Sequence, residues 1–153
     1  MSSQLDETLR KMAGTHQKLL AYLAALDEDG ANRPVGPEHW SPRAMVGHLA
    51  DAERAHRRFL QAVADGNPPA RLDGFDLDVW NAARVARRAG QTLAEVLAAF
   101  EAERVQTLAY LPTIPAAAWT ATGDHPALGH VSVEFVVRVI GIHERMHLTE
   151  MMG

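Results

Sequence analysis

Ile142-His143-Glu144-Arg145-Met146-His147-Leu148 is the stretch on which the fold turns. Its two histidines are four residues apart, and on a helix that spacing puts them on one face with Cβ atoms about 5–6 Å apart. Two imidazoles so placed reach one cation, and a third from another helix completes a metal site. The third candidate is His48, far upstream in Val46-Gly47-His48-Leu49. Whether the three meet depends on how the helices run.

Hydrophobic periodicity predicts four long helices. The first carries Leu5, Leu9, Met12, His16, Leu19, Leu23 and Leu26 as one buried stripe and ends before Asp27. The second opens at Ser41-Pro42, an N-cap followed by proline at the first helical position. Its stripe is Met45, Leu49, Ala52, His56, Phe59 and Val63, closed by Gly66 and Pro68-Pro69. The third starts at Thr92-Leu93-Ala94-Glu95, a capping box, and Pro112 stops it. The fourth starts at Ser132 and carries Val136, Val139, Ile140, His143, His147 and Met151. Residues 76–88 form a shorter helix containing Trp80 and Asn81. Residues 114–130 read as loop with one turn near Ala116, and nothing alternates as a strand.

His48 lies in the second turn of the second long helix, about 10 Å from its start. His143 and His147 lie roughly 7–15 Å from the end of the fourth. In an up-down-up-down bundle these two helices are parallel, and the histidines fall toward opposite ends. They meet if the helices are antiparallel, which requires an up-down-down-up bundle with a long crossover between the second and third helices. Residues 66–91 are long enough to be that crossover. The expectation is an all-α four-helix bundle. In it, Trp40, Trp80 and Asn81 sit at the mouth of the site, and His125 and His130 at the far end.

Composition narrows the function. The 153 residues suit a single domain over 1–153 and can bury a sizeable core. A formal charge of −4 gives no reason to expect a nucleic-acid partner. With no cysteine, disulfides, thiolate ligands and a cysteine nucleophile are excluded. The start, Met1-Ser2-Ser3-Gln4-Leu5-Asp6-Glu7, is polar and unlike a signal peptide. No apolar run approaches the roughly 20 residues of a membrane span. The expected setting is the cytoplasm, without a membrane partner. Ser41 and Thr149 lack the partners of a nucleophilic triad.

Trp40-Ser41-Pro42 followed by Gly47-His48-Leu49-Ala50, with the terminal His-x-x-x-His, resembles the DinB/YfiT-like superfamily of metal-binding four-helix bundles. Asp78-Val79-Trp80-Asn81-Ala82-Ala83-Arg84, and His125-Pro126 with Leu128-Gly129, extend the resemblance over nearly the whole chain. It implies an up-down-down-up bundle with a divalent metal on three histidines, which map to His48, His143 and His147. It also implies relatives that act as metal-dependent hydrolases, or as transferases using low-molecular-weight thiols such as bacillithiol or mycothiol. A homodimer is implied too, although a monomer is equally compatible with the residues.

Other residues have two readings each. His143-Glu144-Arg145-Met146-His147 matches H-E-x-x-H, the zincin pattern in which glutamate is the general base. Only residues 148–153 follow, leaving no room for the usual downstream ligand, and no strand is available to hold an extended peptide. Glu144 therefore either approaches the metal or is a solvated helix residue; helical periodicity, about 100° from His143, favours the surface. Asp51, one turn from His48, either orients its imidazole or is solvated. His16 is either a core histidine or a neighbour of the ligands. His56, about 12 Å along the helix from His48, is too far to share its ion and reads as core. Trp40 and Trp80 are core or pocket walls. Arg54, Arg57, Arg58, Arg87 and Arg88 read as solvated faces; flanking the pocket, they would hold an anionic substrate such as a thiol cofactor's carboxylates.

Three neutral imidazoles leave a divalent ion its full charge and an open position, at which water or a thiol becomes a nucleophile at neutral pH. Zinc, nickel and iron(II) all accept imidazole. The first expectation is thus a metal-dependent hydrolase or thiol S-transferase on a small molecule, with its catalytic residues unassigned. The alternative is a non-catalytic scaffold or dimerisation module, in which the ion only fastens two helices. An enzyme keeps the site open, whereas a structural site is closed by a fourth protein ligand, for which Asp51 and Glu144 are the candidates.

Overall fold

The computed structural model describes the backbone of residues 2–153 and the side chains of residues 3–153. Its helices are α1 (Ser2–Ala24), α2 (Glu28–Asn32), α3 (Pro42–Ala64), α4 (Leu77–Arg87), α5 (Leu93–Tyr110) and α6 (Val133–Met152). Two strands, β1 (Thr122–His125) and β2 (Gly129–Ser132), stand immediately before α6. Among the described residues, no helix is long and apolar enough to cross a membrane.

Caps set the helix starts, those at Ser41 and Thr92 as expected. The Ser41 hydroxyl accepts from the Ala44 N–H at 3.2 Å and Pro42 opens α3. Thr92 and Glu95 form both bonds of the capping box at 3.2 Å. Ser132 caps α6 through the Phe135 N–H at 3.2 Å, and Asp76 caps α4 through the Val79 N–H at 3.1 Å. The end of α1 falls two residues earlier than the stripe predicts. The N–H groups of Ala25 and Leu26 turn to carbonyls three residues back, and Asp27 then caps the short α2.

Side-chain pairs give the directions of the long helices. Between α1 and α6, Met12 meets Gly141, His16 bonds Glu144 and Tyr22 donates to the Met151 carbonyl, so the numbers rise together and the helices are parallel. Between α3 and α5, Glu53 binds Arg104 and Arg57 binds Glu103, with Gly47 against Val96 one end along; these too are parallel. Between α3 and α6 the order reverses. Phe59, Leu60 and Val63 share an apolar cluster with Val133, Val136 and Val137, whereas Met45, Val46 and Leu49 share another with Leu148 and Met151. The bundle is up-down-down-up, and the crossover from α3 to α5 carries α4.

A buried charged layer crosses the bundle, and it corrects two expectations. Glu144 is 0 % exposed, not solvated. Its Oε1 accepts from Arg104 Nη2 at 3.0 Å and its Oε2 lies 2.6 Å from His16 Nδ1. Arg104 also holds both oxygens of buried Glu53, and His16 Nε2 lies 2.5 Å from Glu101. The hydrogen bond from Glu144, then the charges of both carboxylates, raise the His16 pKa against its desolvation, and a protonated ring donates to both. The order Glu53, Arg104, Glu144, His16, Glu101 thus alternates in sign. His16 serves this chain of ion pairs rather than the metal ligands. Arg57, expected on a solvated face, is also buried, on Glu103 and Thr107. Buried charges are retained when paired and hydrogen-bonded, and these are.

The segment expected to be loop contains an antiparallel hairpin, registered Thr122↔Ser132 through His125↔Gly129. Its inward positions are Gly123 and His125, so no apolar alternation marks it in the sequence. Packing selects it instead. A Cβ on Gly123 would stand 2.8 Å from Val63 Cγ2 and 3.2 Å from Pro68, so only glycine lets β1 lie this close to α3. Gly129 takes φ +78° to close the turn. The hairpin carries His125 to the side of α3, beside His56, and not to a remote end of the bundle.

Candidate metal centre

The antiparallel course of α3 and α6 brings His48, His143 and His147 together. Their ring nitrogens lie within 4.8 Å of one another. The Nε2 of His143 is 3.1 Å from that of His48 and 3.0 Å from that of His147. All three rings are largely buried, and burial is the main cause of their lowered pKa values, with repulsion among the rings adding to it at His48 and His143. His48 falls to about 4, His143 to about 2, and His147 shifts in the same direction. Neutral rings offer lone pairs, as a cation requires. Two nitrogens bound to one ion at about 2.0–2.1 Å stand about 2.9–3.4 Å apart for angles near 90–110°. The residues present fit a divalent metal.

Neighbouring groups orient the rings. His147 Nδ1 lies 3.2 Å from Glu150 Oε2, so a proton held there leaves the Nε2 lone pair facing the cluster. Trp40 packs on His48 with ring centroids 5.0 Å apart. Asp51 does not orient His48: both its oxygens accept from Arg88, at 3.0 and 2.8 Å, and His48 Nδ1 is buried without a partner. Glu144 faces the charged layer on another side of α6. Neither candidate for a fourth protein ligand is therefore free, and among the described residues the cluster has three donors.

The cluster forms part of the wall of a cavity of about 720 Å³. Trp40, Trp80 and Asn81 line it as expected, together with Phe59, Phe75, Leu77 and Met146. Three arginines, Arg54, Arg58 and Arg84, also line it, and no carboxylate pairs with them among the described residues. Arg84 lies over the Trp80 ring at 5.1 Å. The size, and a wall that joins apolar side chains to several polar and charged ones, are those of a small-molecule site.

Sequence reasoning placed His56 and His125 elsewhere. Both line this cavity, with His56 Nδ1 3.0 Å from His125 Nε2 and the His56 ring centroid 6.3 Å from that of His143. His56 does stay out of the three-nitrogen cluster, as its distance along α3 requires. The signal that could have found the pair was His125-Pro126, whose place in space depends on a hairpin without an apolar pattern.

The sequence model of the DinB superfamily matches residues 6–151. No curated protein sequence matches this chain. Among solved structures, YfiT from Bacillus subtilis, described as "a probable metal-dependent hydrolase with an unusual four-helix bundle topology", superposes with a TM-score of 0.80 at 18% identity, over 99% of this chain and 86% of that one. A mycothiol-dependent maleylpyruvate isomerase superposes with a TM-score of 0.79 at 13% identity, over 96% of this chain but 60% of its own. A third, described as TT2238, a four-helix bundle protein, gives 0.69 at 24% identity, over 94% of each chain. At these identities the likenesses establish the fold.

Proposed function

Since this chain belongs to the DinB superfamily, we propose that it holds one divalent metal ion on His48, His143 and His147 and uses it on a small molecule, as a hydrolase or thiol S-transferase. The observation that carries the reading is the convergence of three neutral imidazoles on the wall of a cavity, with no fourth protein ligand beside them among the described residues. A structural ion would be enclosed by that fourth ligand. Two solved relatives support metal use and a thiol cosubstrate, since one is described as a probable metal-dependent hydrolase and another as a mycothiol-dependent isomerase.

Such an ion supplies Lewis-acid activation of water or a thiol at neutral pH. The protein's own residues do the rest. Glu150 orients His147, and Trp40 fixes His48 by packing. Phe59, Phe75 and Trp80 hold an apolar body, and Arg54, Arg58 and Arg84 attract an anionic end. Asp51 does not offset them, because Arg88 neutralises it. With no cysteine in the chain, a thiol must arrive as a cosubstrate. Zinc, nickel and iron(II) all suit three imidazoles.

The test is elemental analysis of gently purified protein and of the His48→Ala and His147→Ala variants. Wild type is expected to carry about one metal per chain, and each variant much less, as loss of one of three ligands requires. Unchanged metal content in both variants would overturn the assignment. A screen of low-molecular-weight thiols and electrophiles should then reveal turnover that disappears with the metal.

A further inference from the structure

His56 and His125 form a pair whose protons are placed by the main chain. In the turn between β1 and β2, the N–H groups of Ala127 and Leu128 lie 3.0 and 3.2 Å from His125 Nδ1. A backbone amide only donates, so His125 Nδ1 must accept and carries no proton. The proton of a neutral His125 is then on Nε2, which donates to His56 Nδ1 at 3.0 Å. With Nδ1 accepting, neutral His56 carries its own proton on Nε2. With an accepting Nδ1 in each, neither ring is doubly protonated and both are neutral.

The remaining nitrogen, His56 Nε2, has no protein partner among the described residues. It is not fully buried, unlike the unpartnered His48 Nδ1 and Asn81 Oδ1, and it belongs to a ring that lines the cavity. The ring stands perpendicular to that of His143 with centroids 6.3 Å apart, so it borders the three-histidine cluster.

We infer that His56 is a catalytic hydrogen-bond donor, whose Nε2–H, set by His125 and the hairpin turn, serves an oxygen of the small molecule bound beside the cluster. This rests on the cavity being the reaction site. The oxygen is that of a carbonyl, carboxylate or phosphoryl group, since a fixed N–H needs an acceptor and has no lone pair with which to remove a proton. A neutral, preorganised donor of this kind stabilises negative charge as it develops on oxygen, without itself changing protonation. The hairpin thus has a chemical task, which is to hold the tautomer.

Two measurements test this. Long-range proton–nitrogen-15 correlation spectra of the full chain as purified, and again after zinc addition, report which ring nitrogens are protonated. Both His56 and His125 should be Nε2–H tautomers, and His125→Phe should release His56 into a mixture. A wild-type His56 protonated on Nδ1, or already mixed, overturns the inference. Zinc-loaded protein is then titrated with acetohydroxamate, a metal-binding probe with acceptor oxygens. His56→Phe, or His56→Ala should the larger ring not fit, is expected to weaken binding about tenfold, with His56→Gln near wild type because its amide N–H donates. Equal weakening in both variants, or none in either, overturns it. Wild-type protein that takes up no zinc would defeat the metal assignment separately, and the spectra would still decide the tautomer.

Discussion

Replacing Glu144 by glutamine separates the two roles that the His-Glu-x-x-His pattern offers. Glu144 is fully buried, with one oxygen on Arg104 at 3.0 Å and the other on His16 at 2.6 Å. Glutamine keeps the volume and one accepting oxygen, but its NH₂ must face either a guanidinium N–H or a protonated imidazole N–H, donor against donor. It also removes the central negative charge of the alternating series. Breaking a buried ion pair costs about 3–5 kcal/mol, and one surviving hydrogen bond places Glu144→Gln near the lower end, at about 3 kcal/mol. For a chain of this length each kcal/mol lowers Tm by roughly 2–4 °C, so a fall of about 6–12 °C is expected. Thermal and urea unfolding of the metal-free variant measure it, with zinc titration in parallel. Zinc affinity should hold, because Glu144 touches none of the three ligand nitrogens. A near-unchanged Tm combined with zinc affinity lowered by about tenfold or more would refute the reasoning and make Glu144 a servant of the metal.

Acidification should unfold the metal-free protein. His48, His56, His125 and His143 all titrate below their unfolded value near 6.5, so below that pH the unfolded chain binds more protons than the folded one. Their stabilisation is complete above pH 6.5 and declines as pH falls toward about 4 for His48 and His125 and further, to about 3 and about 2, for His56 and His143, by up to about 1.4 kcal/mol per pH unit for each group. His16, raised by Glu144, runs oppositely: its contribution is full below pH 6.5 and is lost as pH rises through its raised value. Urea midpoints should be lower at pH 5 than at pH 7.5, and a higher midpoint at pH 5 would contradict the buried neutral rings. Gly123→Ala places a methyl group 2.8 Å from Val63 and should cost about 1–3 kcal/mol of unfolding free energy. An unchanged urea midpoint in that variant would mean the hairpin does not pack on α3 as described.

Sequence alone determined what depends on near neighbours and on chain length. The caps at Ser41 and Thr92 are legible because a cap and its N–H partner are three residues apart. The pairing of His143 with His147 follows from one turn of helix, and the length of residues 66–91 then permitted the one topology in which His48 joins them.

Tertiary structure decided which partner each polar side chain met. Glu144 has the periodicity of a surface residue and is buried, because α1 and α5 cover that side of α6 with His16 and Arg104. His16 and Glu144 are 128 positions apart, and His56 and His125 are 69. No local pattern records such a meeting, since what holds each ring is the fit of distant elements rather than the spacing of nearby residues. The hairpin is the clearest case: with glycine and histidine facing inward, only the surface of α3 could make a strand of it.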